Sequence, residues 1–384
     1  MILYALAAVP LLIWLYLLLA RGGFWLVSRN LARIPVNRAL ASKVVAIVPA
    51  RDEAAVIGDA VASLLQQDFA GQIHLIVVDD ASTDATESAA LVAAAGIGAS
   101  ARLSVIRGAP LPPGWSGKLW AMSQGVIAAA ALAPDYLLFT DADIHHEPDN
   151  VAALVTRAEA QHRDLVSYMV KLPVSSCAER LLIPAFVFFF MKLYPPAWIA
   201  SATARTAGAA GGCILIRPDA LERAGGLRAI RSQIIDDCAL ARAVKAAGGS
   251  IWLGLTRSAR STRPYGSLAD IGRMISRTAF NQLQHSYALL LATIVGLFVT
   301  YLLPPLLLLS GRAPSVALGA AAWILMGIAY APLLRFYGLS ALWGLCLPAI
   351  ALFYAGATVY SAVQYRLGRG GRWKGRMQDA KPRR

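Results

Sequence analysis

The chain of 384 residues contains little cysteine, and its four cysteines follow no recognisable spacing. They are Cys177, Cys213, Cys238 and Cys346, with no C-x-x-C pair and no spacing typical of a metal site. The sequence therefore supports neither a zinc-binding module nor a disulfide framework. We interpret the four residues as reduced thiols of a protein that faces the cytoplasm.

Two common nucleotide-binding motifs are absent as well. No G-x-G-x-x-G follows the first predicted strand, so a dinucleotide-binding protein is unsupported. Gly117-Lys118 does not belong to a P-loop, because Pro112 stands where that motif needs glycine and Leu119 where it needs Ser or Thr.

Acidic residues are scarce in this chain, and two basic segments near its ends contain almost none. The formal net charge is +14, from 36 Lys and Arg against 22 Asp and Glu. Residues 21–43 contribute +5 and residues 366–384 contribute +7. The middle of the chain is thus nearly neutral, which argues against a nucleic-acid partner. Basic residues beside apolar segments instead predict contact with anionic lipid head groups at the cytoplasmic leaflet.

Apolar sequence is what the chain has in excess. Its hydrophobic content of 57% and mean hydropathy of +0.55 are too high for an ordinary soluble enzyme of this length. Ile2–Ala20 carries no charge and would be about 28 Å long as a helix, enough to cross a bilayer. A cleaved signal peptide is the alternative, but no basic residue precedes the run and Arg21 ends it directly. Three more long apolar runs follow at Ser286–Ser310, Val316–Leu334 and Leu339–Tyr365. We predict an integral protein of the inner membrane.

The two basic flanks conflict with a simple count of these runs. One amino-terminal and three carboxy-terminal spans would place the tail opposite the middle of the chain, yet both flanks are basic. Either one of the last three runs is re-entrant, or the tail breaks the positive-inside tendency. We favour a re-entrant first run, because Pro304-Pro305 interrupts it.

The remaining sequence predicts an α/β domain. Strand patterns at Val44–Val48, Ile73–Val78, Leu103–Ile106, Tyr136–Thr140, Leu165–Val170 and Cys213–Ile216 alternate with helix patterns, which is typical of a layered α/β fold. Leu181–Ile199 is apolar but broken by prolines, and we predict an in-plane membrane helix or core packing there. The resulting division is an anchor at residues 1–24, an α/β domain at 41–270, an interfacial segment at 271–285, a membrane region at 286–365 and a basic tail at 366–384.

The most informative motif follows the strand Tyr136–Thr140. This strand ends in Asp141-Ala-Asp143, two carboxylates one residue apart. Ligands of open α/β sheets bind beyond the carboxyl ends of the strands. Two carboxylates there suit Mg²⁺ or Mn²⁺ holding a diphosphate, although an isolated D-x-D is more often an acidic turn.

Charged residues also follow other predicted strands or open predicted helices. These loops are Pro49–Glu53 after the first strand, Asp79–Asp84 after the second, and Ile235–Asp237 at the start of a helix. Each alone could be a helix cap or a solvated turn. Because such loops converge on one edge of a sheet, we predict that they form one site.

Taken in order, these motifs resemble a family 2 glycosyltransferase of the GT-A fold, which transfers a sugar from a nucleoside diphosphate sugar. The matching segments are VVAIVPARDEA, IVVDDASTDAT, GWSGKLWAMSQG, LLFTDADI, GGCILIRPDAL and IIDDCALARAVKAAG, within about residues 44–255. More narrowly, the anchor, the carboxy-terminal spans and the tail Arg372–Arg376 resemble the membrane-bound glycosyltransferases associated with hopanoid biosynthesis.

The resemblance implies a Rossmann-like α/β domain of the GT-A type, with one amino-terminal and about three carboxy-terminal transmembrane segments. It also implies site residues. The nucleotide sugar would be bound by Pro49, Arg51, Glu53, Asp80, Lys118 and Asp141; the metal, Mg²⁺ or Mn²⁺, by Asp143 and Asp141; and diphosphate or acceptor contacts would come from Gly211, Gly212, Arg273, Arg277 and Gln282. Asp237 matches the general base that removes the proton of the acceptor hydroxyl in one inverting displacement.

The chain departs from the family pattern in two places. Asp52 stands where Asn usually precedes the glutamate, and no Q-x-x-R-W motif follows the base. The missing motif argues against processive synthesis and for a single transfer to a membrane lipid. His145 and His146 follow the D-x-D and are further candidate metal ligands, although loop histidines are common.

The implied reaction is transfer from a nucleoside diphosphate sugar, with UDP preferred by family habit, to a lipid hydroxyl such as that of a hopanoid. A polyisoprenyl phosphate, diacylglycerol or sphingolipid-like acceptor is the alternative, with the catalytic domain in the cytoplasm. A strand ending in D-x-D also marks haloacid dehalogenase-like phosphatases, but Ile144 stands where these have Thr or Val. A transporter with an inactive domain would need charged residues inside its spans, and only Arg335, between two runs, comes close.

Overall fold

The computed structural model describes residues 2–32, 34–373 and 376–379. The helices are α1 Ile2–Leu19, α2 Val27–Asn30, α3 Ile57–Leu65, α4 Thr86–Gly96, α5 Gly117–Ala130, α6 Asn150–Ala160, α7 Cys177–Leu193, α8 Pro196–Ala200, α9 Pro218–Arg223, α10 Asp236–Ala246, α11 Leu268–Gln282, α12 Tyr287–Leu297, α13 Leu303–Leu307, α14 Ala313–Phe336 and α15 Leu347–Arg366. The strands are β1 Lys43–Ala50, β2 Gln72–Asp79, β3 Leu103–Arg107, β4 Tyr136–Thr140, β5 Ile144–His146, β6 Leu165–Lys171, β7 Cys213–Ile216, β8 Ile251–Ser261, β9 Gly370–Trp373 and β10 Arg376–Asp379.

The central sheet of the described chain has the strand order β3-β2-β1-β4-β7-β6-β8-β5. Strands β3, β2, β1 and β4 are parallel, β7 is antiparallel to β4 and β6, and β5 is antiparallel to β8. Buried Val, Ile and Leu fill the central strands because helices cover both faces of the sheet. The predicted α/β layer architecture is confirmed.

The strand β8 was missing from the sequence-based prediction, and it matters for the site. Its residues alternate buried and exposed positions along only part of its length, and arginines at 257 and 260 interrupt the apolar pattern. It pairs with β6 in parallel and with β5 in antiparallel register, Ile144 lying opposite Ser261. The end of β8 therefore reaches the turn that carries the D-x-D motif.

Helix α7 lies between the sheet and the carboxy-terminal helices and is packed from both sides. The hydroxyl of Tyr354 in α15 donates a hydrogen bond to the carbonyl of Leu182 over 2.9 Å, and the ring of Phe188 packs on Tyr330 of α14 at 5.1 Å. Of the two interpretations of Leu181–Ile199, core packing describes the structure. One continuous apolar core extends from the sheet through α7 into the carboxy-terminal helices.

The predicted amino-terminal anchor forms a helix that packs against the carboxy-terminal helices. The indole of Trp14 donates a hydrogen bond to the carbonyl of Thr300 over 2.9 Å and makes an edge-to-face contact with Tyr301 at 5.5 Å. Its apolar part, Ala5–Leu19, is shorter than the segments that could each cross a bilayer. That it spans the membrane stays a prediction.

Three helical segments of the described chain are long and apolar enough to cross a membrane. They are Tyr287–Ser310, Ala313–Phe336 and Ala341–Arg366. The first contains a π-helical turn, Phe298–Leu302, directly before Pro304-Pro305, so the irregularity that the prolines predicted is present. The segment nevertheless continues as one helical rod that is long enough to cross a membrane, and its re-entrant course stays a prediction.

The chain turns back between the second and third segments. Residues 341–346 lie along the middle of α14, where a Cβ on Gly344 would be 3.2 Å from the Cα of Gly327. The end of α14 lies on the α/β domain, with the guanidinium of Arg257 4.8 Å from the ring of Phe336. The chain therefore folds back along α14 before α15 begins.

The start of α12 and the end of α15 lie side by side. The rings of Tyr287 and Tyr365 pack on Phe280 of α11 at 5.1 and 5.5 Å. The basic tail thus leaves α15 beside α11, which follows the α/β domain directly. Within the predicted tail, residues 374, 375 and 380–384 lie outside the described residues, and β9 pairs with β10.

Candidate active site

The D-x-D motif leaves the sheet at the end of the central strand β4. The hydroxyl of Ser261 donates a hydrogen bond to Oδ2 of Asp143 over 2.9 Å, and the amide of Thr262 donates to the carbonyl of Asp143 over 2.8 Å. The buried side chains of Ala142 and Ile144 fix the turn from below. Both carboxylates are therefore held at the carboxyl edge of the sheet, as the sequence predicted.

Lys118 joins two acidic elements of the site. It lies in the first turn of α5, which begins after Ser116, whose hydroxyl accepts a hydrogen bond from the amide of Leu119. The Nζ atom of Lys118 is 2.8 Å from Oδ1 of Asp141 and 3.4 Å from Oδ2 of Asp236. One ammonium thus bridges the D-x-D motif and the start of α10.

Asp237 lies beside this bridge and is fixed by two backbone amides. Its Oδ2 accepts a hydrogen bond from the amide of Gly211 over 2.9 Å, and its Oδ1 accepts one from the amide of Cys238 over 2.7 Å. Burial, followed by the neighbouring charge of Asp236, raises the pKa of Asp237 to about 6. The carboxylate is therefore ionised at neutral pH while remaining a stronger base than an exposed aspartate.

The other charges of the site affect one another strongly. Burial raises the pKa of Asp141 above its ordinary value, and the ammonium of Lys118 opposes that shift. Burial disfavours the charged form of Lys118, but the carboxylates of Asp141 and Asp236 outweigh it, so the pKa of Lys118 lies above its ordinary value. The cavity that these residues line with Asp237 and Gly211 has a volume of about 10 Å³, room for about one water molecule.

Arg263, in the loop after β8, is a functional candidate that sequence reasoning missed. Its guanidinium forms an ion pair with Glu53 and lies 3.4 Å from Oδ2 of Asp143. Burial disfavours the charged form, but the carboxylates of Glu53 and Asp143 outweigh that effect and raise the pKa of Arg263. No motif marks this residue, because it lies about 120 residues from the D-x-D and only the pairing of β8 brings it there.

The residues predicted to bind the base and ribose lie together at the ends of β1 and β2. The guanidinium of Arg51 donates a hydrogen bond to the carbonyl of Asp80 over 2.7 Å and lies 3.7 Å from its carboxylate. Pro49 lines the small cavity with Lys118. Asp52 has a φ of 52°, and its carboxylate accepts a hydrogen bond from the amide of Thr83 over 2.7 Å. Asp52 thus stabilises the contact between the two loops.

The remaining predicted contacts are spread over different places. Gly212 packs against the core, where a Cβ would be 2.9 Å from Cγ2 of Val170, whereas Gly211 adjoins Lys118 and Asp237. Arg273 forms an ion pair with Asp270 on the exposed side of α11. Arg277, on the same helix, is close enough to Tyr265 to influence its pKa. The sequence grouped these residues with the diphosphate, and the structure does not bring them all together.

Gln282 lies near Asp237 and is connected to it through Tyr194. Its amide donates a hydrogen bond to the hydroxyl of Tyr194 over 2.6 Å, and Tyr194 in turn contacts Cys238, the residue after Asp237. Next to it, between α10 and the end of α11, is a cavity of about 240 Å³. Its polar lining residues are Gln233, Arg242, Asn281, Gln282, Gln284 and His285.

The two histidines after the D-x-D do not face the carboxylates. The ring of His146 is buried and hydrogen-bonded to Thr140 and Asn150, and burial lowers its pKa to about 3. The ring of His145 is 2.9 Å from the carboxylate of Asp59. Neither ring is directed to a metal on Asp143.

A divalent ion fits this site only if a substrate supplies part of its coordination. In the part of the chain that is described, no group of three or more His, Cys, Asp or Glu side chains is placed to hold a metal ion. Asp141 and Asp143 supply two hard oxygen donors, and Mg²⁺ is commonly bound by one or two carboxylates together with substrate phosphates. The donor set therefore suits an ion that a diphosphate helps to hold.

Comparison with known proteins gives a family match to part of the chain and a similar fold. The sequence profile of the family described as Glycosyl transferase family 2 matches residues 45–225. A search of curated protein sequences gave no significant match.

Among solved structures, the chain is similar to mannosyltransferase PcManGT from Pyrobaculum calidifontis, determined in complex with GDP-Man and Mn²⁺. The identity is 18%, the match covers 93% of this chain and 99% of that chain, and the TM-score is 0.58. It is also similar to glucosyl-3-phosphoglycerate synthase from Mycobacterium tuberculosis with Mg²⁺ and UDP, at 18% identity, 69% and 83% coverage and a TM-score of 0.42.

Proposed function

Residues 45–225 of this glycosyltransferase form a family 2 domain with the GT-A fold, and from this premise we propose that the enzyme transfers a sugar from a nucleoside diphosphate sugar to a hydroxyl of a membrane lipid, with inversion. The donor diphosphate is bound at Asp141, Asp143 and Lys118. Asp237 is the general base.

One observation supports this proposal most directly. The ammonium of Lys118 connects Asp141, which would bind the donor, to the residue next to Asp237. Lys118 contacts both Asp141 and Asp236, and Asp237 is the next residue on α10. A sugar bound by its diphosphate at Asp141 would lie with its anomeric carbon toward Asp237. The Gly211 amide keeps Oδ2 of Asp237 oriented, and Oδ2 is the atom we assign to accept the proton.

The acidity of this region favours a hydroxyl acceptor over a phosphate acceptor. A hydroxyl must lose its proton as it attacks, and a carboxylate with a pKa of about 6 suits that task at neutral pH. An ionised phosphate needs no base, and Asp236 and Asp237 would repel it. A polyisoprenyl phosphate is therefore the weaker of the acceptor alternatives.

The acceptor side of the base opens toward the membrane region. Tyr194 and Gln282 connect Asp237 to the polar cavity between α10 and α11, and the first long apolar segment begins at Tyr287. Amide and guanidinium side chains in that cavity can hydrogen-bond a polar lipid head group while its apolar part stays in the bilayer. We assign the cavity to the head group of the acceptor, and the domain to the cytoplasmic side, where nucleotide sugars are made.

Arg21 and the basic tail would then contact anionic lipids of the inner leaflet. Asp141 and Asp143 would hold a divalent ion, which would supply positive charge against the departing nucleoside diphosphate. Lys118 contributes positive charge to the same end of the site, and the protein itself moves the acceptor proton to Asp237. On the narrower resemblance of the carboxy-terminal region, we propose a hopanoid hydroxyl as the specific acceptor.

The test is product formation in membranes. Membranes containing the protein would be incubated with labelled UDP-sugars and with GDP-mannose, and extracted lipids would be analysed by mass. We expect one lipid to gain the mass of one sugar, and the Asp237→Asn protein to lack that product. Transfer to a soluble acceptor only, or to a lipid phosphate, would contradict the proposed acceptor.

A further inference from the structure

The second carboxylate of the D-x-D motif is neutralised by a residue of the protein itself. Arg263 lies between Glu53 and Asp143, pairing with both carboxylates. Ser261, two residues earlier, also donates a hydrogen bond to Oδ2 of Asp143, and its hydroxyl accepts one from the amide of Arg263 at 3.3 Å. The end of β8 thus holds a cation directly against the motif.

The position of Arg263 conflicts with a metal ion already in place. A divalent cation on Asp143 would meet like charge within a few ångströms, and such repulsion is substantial in a partly buried site. Asp143 is 18% exposed and Glu53 is 12% exposed, so water screens their surroundings only in part. The side chain of Arg263 is 40% exposed and therefore already in contact with solvent.

We propose that Arg263 is a positioning residue that makes metal binding depend on the donor: it blocks Asp143 in the free enzyme and moves to the donor diphosphate when nucleotide sugar and metal enter together. This inference rests on the proposed function, because it assumes a diphosphate donor at Asp141 and Asp143. A guanidinium suits the second position as well, since its planar donors pair with phosphate oxygens in a bidentate manner.

Two features of the site support this exchange. The described carboxylates of the motif do not form a three-ligand group with other residues, so the protein alone offers a metal few donors. The other carboxylate, Asp141, is likewise paired with a cation, Lys118 at 2.8 Å. Both donors are therefore neutralised until an anionic ligand that compensates both cations is present.

The experiment measures Mn²⁺ binding rather than turnover. Free Mn²⁺ would be counted by electron paramagnetic resonance in titrations of purified full-length protein in detergent, without nucleotide, with UDP and with GDP. We expect the wild type to bind Mn²⁺ weakly alone and much more tightly with UDP. Arg263→Gln should bind Mn²⁺ alone roughly tenfold more tightly than the wild type, because the competing cation is gone.

Three variants make the result specific. Arg260→Gln is the matched control, since Arg260 lies at the end of β8, three residues before Arg263, and pairs with Glu147 instead, and its Mn²⁺ affinity should equal that of the wild type. Arg263→Lys keeps the charge and should keep Mn²⁺ binding weak. Adding Asp143→Asn to Arg263→Gln should remove the gain. Melting temperatures would establish that each variant is folded.

Equal Mn²⁺ affinity in Arg263→Gln and the wild type would overturn the proposal, as would tight binding of Mn²⁺ to the wild type without UDP. These outcomes are separate from the proposed function. If the enzyme transfers sugar while Arg263→Gln shows no gain, only the role of Arg263 is wrong. If neither UDP nor GDP changes Mn²⁺ binding in any variant and no lipid product forms, the proposed donor is wrong.

Discussion

The backbone amide of Gly211 donates a hydrogen bond to Oδ2 of Asp237 over 2.9 Å, and this contact joins two segments that are 26 residues apart. Any side chain at position 211 would contact Lys118 and Asp237. A Cβ at position 211 would be 3.4 Å from Nζ of Lys118 and 3.5 Å from Oδ2 of Asp237. Gly211 therefore keeps open the space between the ammonium of Lys118 and the carboxylate of Asp237.

Substituting this glycine should damage activity and not folding. In Gly211→Ala the methyl group fits at van der Waals distance but occupies space that the acceptor or sugar needs, and we expect a loss of roughly tenfold or more in kcat/KM. In Gly212→Ala the methyl would be 2.9 Å from Val170, so we expect a loss of stability of about 1–3 kcal/mol. Lipid glycosylation and thermal unfolding of both variants check the pair. Equal behaviour of the two would contradict this distinction.

Asp237→Asn should separate the chemical step from donor binding. Asn keeps the shape but cannot accept the acceptor proton, and loss of a general base typically costs about 10²–10⁴ in rate. Donor affinity should remain nearly unchanged, because Asp141, Asp143 and Lys118 are intact. Calorimetric titration with nucleotide sugar and product mass on the same preparation provide the two readouts.

The control for this variant is the neighbouring acid. In the wild type, activity should fall as the pH drops through about 6, where Asp237 becomes protonated. Asp236→Asn removes the like charge that raises the pKa of Asp237, so its acid limb should move to lower pH. Wild-type turnover in Asp237→Asn would exclude Asp237 as the base and leave Asp236 as the next candidate.

The raised pKa of Asp237 also predicts a dependence of stability on pH. Because the pKa is about 6 in the folded protein and near its lower ordinary value in the unfolded chain, the protonated group favours folding. This contribution is present at low pH and is lost as the pH rises through about 6. The unfolding free energy of the wild type should therefore fall relative to that of Asp237→Asn by about 1 kcal/mol between pH 5 and pH 8. If the difference in unfolding free energy between the two proteins is constant across that range, the pKa of Asp237 is not raised by folding.

Metal removal should stop the reaction. Asp143→Ala removes one of two carboxylate donors, so it should abolish turnover and greatly weaken donor binding in Mg²⁺ or Mn²⁺. Excess EDTA should reproduce the effect in the wild type, and added Mn²⁺ should reverse it. Glu147→Gln, which alters an exposed acid paired with Arg260, serves as the control. Full activity of purified enzyme in EDTA would exclude the metal from the roles of Asp141 and Asp143.

Periodicity and strand-end chemistry were sufficient to predict most of the sheet and the D-x-D position. Tyr136–Thr140 was predicted with the bounds that β4 has. A short apolar run that is followed directly by charged residues has a well-defined end in the sequence. The role of Arg263 was not predictable in this way, since its position depends on β8 pairing with β5 at the edge of the sheet. Long-range pairing of an irregular strand has no local signal.

The different roles of neighbouring glycines could not be predicted from the sequence either. Gly211 and Gly212 are adjacent and look alike in the chain, but one adjoins Asp237 and the other packs on Val170. Likewise, the prolines at 304 and 305 predicted an irregular helix correctly, yet the turn of the chain occurs near Gly344, where glycine allows close approach to Gly327. Which small residue serves packing and which serves a site depends on tertiary neighbours.

The packing of the long helices predicts the side of the membrane on which the tail lies. The start of α12 and the end of α15 pack together on Phe280, and the end of α14 packs on Arg257 of the α/β domain. The loop at Arg312 lies at the other end of the first long segment, Tyr287–Ser310. If that segment crosses the bilayer, the tail and the α/β domain share one side and Arg312 lies on the opposite side.

Cysteine labelling tests this arrangement with one native and two introduced thiols. Cys177 is exposed at the start of α7 and should react with a membrane-impermeant maleimide in inverted vesicles and not in intact spheroplasts. In a background with Cys177→Ser and Cys346→Ser, Arg369→Cys should behave as Cys177 does. Arg312→Cys should show the reverse pattern, and it controls for the integrity of both preparations. Labelling of Arg369→Cys only from the outer face would mean that the third segment crosses the membrane completely, and the basic tail would then break the positive-inside tendency.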